Sequence, residues 1–164
     1  MHDFSVELLG VNHRPNAPNA RRVVVGLASV LLVMSLLPMR YLASPSWDVW
    51  VATDDGKPRA GISVRLVYQN YSAEGQSHEV TLRTDENGHI LFPAQYGRAS
   101  LLQRLVYTVS SAGAGIHASF GRHAYIFAFG DGYEGTAVTG KYVAGWRGTP
   151  ESMESRIVVR KAGS

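Results

Sequence analysis

Between Gly61 and Gln69 the chain reads GISVRLVYQ, and its apolar residues alternate with the rest. Ile62, Val64, Leu66 and Tyr68 fall between Ser63, Arg65, Val67 and Gln69. A period of two sends successive side chains to opposite faces of an extended strand, so one face is buried and the other meets water. EVTLRT (79–84) repeats the pattern, with Val80 and Leu82 inward and Thr81 and Arg83 outward. In HILF (89–92), Ile90 and Phe92 share a face, and Pro93, which lacks an N–H, ends the ladder.

Two acidic-glycine stretches punctuate these runs, DDGKP (54–58) and DENG (85–88). An Asp side chain accepts from backbone N–H groups two residues on, and Gly tolerates the positive φ that a tight turn demands. A calcium loop is the competing reading, since Asp85, Asn87 and Gly88 imitate the start of an EF-hand. Its third oxygen ligand is missing, however, and Tyr96 stands where that motif needs a bidentate Glu. Both stretches therefore read as turns between strands.

Further strand signals are WDVWVAT (47–53), HAYIFAFG (123–130) and SRIVVRK (155–161), with NYSAEGQS (70–77) as a loop. Tyr125, Phe127 and Phe129 fall on one face of HAYIFAFG, with small or aliphatic residues on the other. In SLLQRLV (100–106), Ser100 and Gln103 form a capping-box pattern ahead of apolar residues at helical spacing. Leu105, Tyr107 and Val109 would equally line one side of a strand. A short helical turn running into a strand is the favoured reading. The Gly-rich stretch after Gly130 reads as a long excursion, with a hairpin across AVTGKYVAG (137–145). Seven or so strands with closely spaced turns predict an all-β fold, an antiparallel β-sandwich with one short helix.

Residues 23–39, VVVGLASVLLVMSLLPM, carry no charge, with Arg21 and Arg22 before them and Arg40 after. As a helix this run covers about 25 Å, just short of a hydrocarbon core of about 30 Å, and Tyr41 with the flanking arginines can extend the span by sitting or snorkelling at the interface. The expected organisation is a flexible cytoplasmic tail (1–20), a single transmembrane anchor or uncleaved signal (21–42) and an extracytoplasmic sandwich domain (43–164). The lipid bilayer would then be a partner through residues 23–39. Cleavage near Ser46, releasing a secreted or periplasmic domain, is the alternative.

The sequence pI of about 9.3 suggests a nucleic-acid binder until the charges are located. Residues 1–44 hold four arginines against two acids, a net of +2, and the remainder is near neutral at +1. A body without a basic stripe excludes nucleic acid as a partner. The absence of cysteine excludes disulfides, thiolate catalysis and cysteine-based zinc sites.

The span TDDGKPRAGISVRLV…TLRTDENGHILFPA resembles the carboxypeptidase regulatory-like domain, a transthyretin-like (prealbumin-like) β-sandwich. Asp55, Gly56, Pro58, Gly61, Ile62, Val64 and Leu66 match the first half of that pattern. Thr84, Asp85, Gly88, Ile90, Phe92 and Pro93 match the second. The resemblance covers roughly residues 47–93. It implies a structural role for these residues and an accessory, adhesive or spacer role for the domain. A long segment after Pro93 departs from the family pattern. The Tyr-Arg-Gly-Ser signature of the urate-pathway hydrolase of the same fold is missing, as the chain ends VVRKAGS.

No nucleophile elbow, phosphate loop or dinucleotide fingerprint occurs, so no enzyme and no cofactor are expected. His117 and His123 flank ASFGR and would converge on a metal only if that segment folded back; solvent-facing histidines are the plainer reading. Tyr68, Tyr71, Tyr133, Tyr142 and Trp146 lie near loops and form the candidate ligand or partner surface. The expected function is a non-catalytic interaction or spacer module of a bacterial envelope, meeting an envelope protein or a glycan. The alternative is a released carbohydrate-binding or other ligand-binding module.

Overall fold

The computed structural model describes residues 20–136 and 145–163. Two compact units divide after Met34. Helix α1 (Ala20–Leu36) buries none of its residues. The body contains β1 (Met39–Ser44), β2 (Ser46–Thr53), β3 (Ser63–Asn70), β4 (His78–Arg83), β5 (His89–Phe92) and β6 (Gln95–Ala99). Helix α2 (Leu101–Ala112) and a short 3₁₀ turn (Gly115–His117) follow. The chain then forms β7 (Arg122–Gly130), β8 (Tyr133–Thr136), β9 (Gly145–Trp146) and β10 (Ser152–Lys161).

The expected membrane-spanning helix is corrected by α1 itself. It ends at Leu36 because Pro38 cannot continue a helix, and Met39 to Ser44 are drawn into β1, which pairs with β6. Seventeen residues rise about 25 Å, short of the roughly 30 Å of a hydrocarbon core. No helix among the described residues is long and apolar enough to cross a membrane. The single-pass placement, with the N-terminus inside and residues 43–164 outside, is therefore not supported. Arg40 and Tyr41, expected as membrane anchors, are residues of β1.

The expected antiparallel sandwich is corrected as well. One main sheet runs in the order β4-β3-β7-β8-β10-β2-β5, with β9 also bonded to β7, while β1 and β6 form a separate pair. The first and last strands of the main sheet are consecutive in the chain, and the sheet curls into a nearly closed, barrel-like form. One segment joins the two edges. Thr84 exchanges backbone bonds with the β3 side (Thr84 N–H to Ile62 O, 3.0 Å; Gly61 N–H to Thr84 O, 3.1 Å), and Val51 N–H of β2 donates to Gly88 O at 2.8 Å. The DENG turn thus bridges the seam, pairing backbone groups that the two edges would otherwise leave open. Closure also needs a parallel pairing of β2 with β10, from Ser46↔Ser152 to Thr53↔Val159, within an otherwise antiparallel sheet. Strand periodicity names a strand's faces and says nothing of its neighbours, so this pairing was not readable in advance.

Alternating residues of each strand fill the interior. Trp47, Val49 and Val51 of β2 meet Val64 and Leu66 of β3, Ile90 and Phe92 of β5, and Ile157 and Val159 of β10. The indole N–H of Trp47 donates to Ser155 Oγ at 2.9 Å, satisfying the one polar atom of this fully buried ring. On β4, an edge strand, Val80 packs partly on the core and Leu82 stays exposed at 36%.

Helix α2 starts at its expected cap, with Ser100 Oγ accepting from Gln103 N–H at 3.1 Å. It does not pass into a strand near Leu105 but runs on to Ala112, where Gly113 N–H bonds the last carbonyls. Polar contacts hold it to the 70–77 loop. Gln103 Nε2 donates to Ala73 O at 2.9 Å and Ser111 Oγ to Tyr71 O at 3.1 Å. Its apolar residues Leu101, Leu105, Val106 and Val109 stay exposed.

Candidate functional site

Strand β7 decides which aromatic residues meet solvent. Its inner face is Ala124, Ile126 and Ala128, all buried, so Tyr125, Phe127 and Phe129 face outward. Tyr125 is 50% exposed. The three rings pack along the strand, with centroids 6.2 Å apart for Tyr125 and Phe127 and 5.8 Å for Phe127 and Phe129. In register, Tyr125 lies opposite Val67, and Phe127 opposite Arg65, both on β3.

Arg65 is fixed where it stands. Nη1 pairs with Glu79 at 3.1 Å and Nε donates to Thr81 Oγ1 at 3.2 Å. The guanidinium lies 5.0 Å from the Phe129 centroid and 5.9 Å from that of Phe127. Aromatic rings beside an arginine are the composition of contact surfaces.

At one end of this stripe a groove of about 310 Å³ is lined by Val67, Tyr68, Gln69, Tyr71, His123 and Tyr125, among others. Tyr71 meets the His123 ring edge-on at 5.2 Å, and Tyr71 N–H is bonded to Gly121 O at 2.9 Å. His123 Nε2 is 3.0 Å from Phe120 O. Tyr68 stacks on His78 at 5.3 Å, and His78 Nε2 lies 2.9 Å from Glu74 Oε2. Burial, helped by the Glu74 carboxylate, raises the Tyr68 phenol above its ordinary value.

Of the aromatic residues singled out in the sequence, Tyr68 and Tyr71 come together in this groove. Tyr133 lies elsewhere, packed on the core beneath Arg59 at 4.7 Å. Trp146 is a core residue, 2% exposed, its indole N–H donating to Pro150 O at 2.6 Å. Tyr142 falls outside the described residues. The sequence places Tyr125, Phe127 and Phe129 on one face of a strand and assigns that face no side. A period of two shows that they share a face; only the sheet's curvature shows which face is outside.

His117 sits in the 3₁₀ turn and His123 in β7. No group of three or more His, Cys, Asp or Glu that could hold a metal occurs among the described residues. At the DENG turn, as its reading as a turn rather than a calcium loop requires, Asp85 Oδ1 accepts from the backbone N–H groups of Asn87 (2.9 Å) and His89 (2.8 Å). An acid–base pair does exist on the outer face, where His89 Nε2 lies 2.5 Å from Asp48 Oδ1. Its other nitrogen faces Asp85 at 4.0 Å and its ring packs on Trp50, so both ring nitrogens point at carboxylates.

No family model matches the chain, and no curated protein matches it. Among solved structures it is similar to 3-chlorocatechol 1,2-dioxygenase from Rhodococcus opacus 1CP, with 15% identity and a TM-score of 0.45. That similarity covers 79% of this chain and 64% of the dioxygenase, so the chain spans less than two thirds of the other's length.

Proposed function

We propose that the chain is a non-catalytic binding module that contacts a protein partner through the outer aromatic face of β3 and β7. The observation that carries this reading is the stripe Tyr125–Phe127–Phe129 beside Arg65 on a face turned away from the core. Aromatic side chains and arginine are the groups that dominate protein contact energies when water is excluded from them.

The packing of the rings favours a protein over a glycan. Sugars stack on open ring faces, but here Arg65 lies over Phe127 and Phe129, and Tyr125 and Phe127 line up along the strand with centroids 6.2 Å apart.

A photo-crosslinking residue at Tyr125 in the full-length protein tests the proposal, with the same residue at exposed Leu91 on β5 as control. One discrete protein adduct at position 125 and none at 91 is expected. Against that purified partner, Tyr125→Ala should weaken binding by about 2 kcal/mol, roughly thirty-fold. Equal labelling at both positions would refute the surface. Oligosaccharide binding lost in Tyr71→Ala would replace the protein with a glycan in the adjoining groove.

A further inference from the structure

We propose that a second pocket, formed where β1, α2 and the start of β7 meet, binds a small phosphate-class oxyanion. It encloses about 370 Å³ and is lined by Arg40 and Tyr41 of β1, Asn70 and Ser72 at the end of β3, Arg104 of α2 and Arg122 of β7. These residues belong to the body, and this reading does not depend on the partner surface proposed above.

Three arginines line it, and among the described residues no ion pair joins any of them to a carboxylate. Three cations elsewhere on the body are paired with carboxylates: Lys57 with Asp55, Arg65 with Glu79, and Arg160 with Asp54. The three in the pocket instead rest on aromatic rings. Arg40 lies 3.8 Å from the Tyr96 centroid, Arg104 5.2 Å from Tyr41 and Arg122 5.5 Å from Trp146. Backbone carbonyls hold Arg122, with Nη1 donating to Leu42 O at 3.3 Å and Nη2 to Gly148 O at 3.1 Å. Rings and carbonyls orient an arginine without cancelling its charge.

The second observation concerns Arg104. Its Nε is buried and has no hydrogen-bond partner among the described residues. Buried donors in native proteins are almost always satisfied, and an orphaned one calls for an acceptor. A guanidinium offers parallel N–H groups that match the oxygens of a phosphate or carboxylate. Charge decides between those two. The nearby acid is Glu74, whose oxygens are engaged with Asn70 N–H at 2.7 Å and His78 Nε2 at 2.9 Å. Three cations against this single anion leave an excess of two positive charges, which a dianion neutralises and a monocarboxylate does not. Burial and the Glu74 carboxylate, to which its hydroxyl is hydrogen-bonded, raise the Tyr41 phenol at the pocket wall.

Inorganic phosphate is the probe, added to the full-length protein at fixed ionic strength with chloride as the reference anion. Saturable thermal stabilisation by phosphate but not chloride is expected, together with a shift of the Arg104 Nε–H NMR signal. Arg104→Gln should raise the phosphate Kd at least ten-fold. Arg40→Gln, on an exposed side chain that leaves the packing intact, should raise it several-fold, and the distant Arg160→Gln should leave it unchanged. Stabilisation equal to that of chloride would overturn the proposal. So would an Arg104 signal indifferent to phosphate, or wild-type affinity in both pocket variants. A carboxylate such as acetate binding more tightly than phosphate would overturn the dianion assignment.

Discussion

Replacing Gly88 by Ala should cost far more than replacing Gly56, although both glycines sit in acidic turns at nearly the same positive φ, +70° and +77°. An L-residue in this region is penalised by roughly 1–2 kcal/mol, part of which is offset by the lower entropy of an unfolded chain carrying Ala. A Cβ on Gly56 meets nothing within 4 Å, so Gly56→Ala should lose only about 1 kcal/mol. At Gly88 the new methyl would press on Val51 O and come within 2.9 Å of Arg59 N. Those atoms belong to the seam. Relieving the clash strains the bonds Val51 N–H to Gly88 O (2.8 Å) and Arg59 N–H to Val51 O (3.0 Å). At about 1 kcal/mol for each bond, the total rises to roughly 3 kcal/mol.

At about 4 °C per kcal/mol for a domain of this size, Gly56→Ala should lower Tm by about 4 °C and Gly88→Ala by about 12 °C. Gly88→Asn separates the two causes, because Asn accepts a positive φ yet still carries a Cβ. Calorimetry or denaturant unfolding of the three variants reads the differences. Equal losses for the two Ala variants, or full rescue by Gly88→Asn, would show that the turn makes no close approach and that the seam is not closed there.

Three further expectations concern other parts of the body. Ser155→Ala leaves the Trp47 indole N–H without its acceptor in the core and should cost about 1–3 kcal/mol in denaturant unfolding; an unchanged midpoint would show that this bond is not formed. The Lys57 ammonium, with Thr53 Oγ1, holds the Asp55 carboxyl down at about 2, against its ordinary 3.8. A depressed acid stabilises the fold above its unfolded value and loses that contribution as pH falls through the folded one. Asp55→Asn should therefore flatten the stability profile between about pH 4 and pH 2, and a carboxyl titrating by NMR at its ordinary value would contradict this. On the β1–β6 pair, Gly97 faces Tyr41, and an added Cβ would meet its ring. Gly97→Ala should displace Tyr41 and weaken phosphate binding with little loss of Tm; unaltered binding would separate Tyr41 from the pocket.

Much of the local structure was legible in the residues. The alternation Ile62–Val64–Leu66 marks a strand because a pleated backbone has a period of two, and all three are buried. Asp85, Asn87 and Gly88 mark a turn because few other side chains bond their own backbone or accept a positive φ. Ser100 marks a helix start, since its hydroxyl satisfies an orphan N–H. The apolar run 23–39 marks a helix of the right length but misplaces its ends by three residues, because hydropathy does not register Pro38 or the pull of β6 on Met39 to Ser44.

Other features depend on residues distant in the chain. Val49 and Ser155 are 106 positions apart and become partners only when the sheet curls far enough to lay β10 beside β2 in parallel. The same curvature turns Tyr125, Phe127 and Phe129 outward and seals Trp146 inside. It also gathers Arg40, Arg104 and Arg122, from three separate elements, around one pocket. Side-chain chemistry and backbone sterics act over a few residues, so they are written locally. Which face is buried, and which charges converge, is settled by the free energy of enclosing one common core, a property of the whole fold.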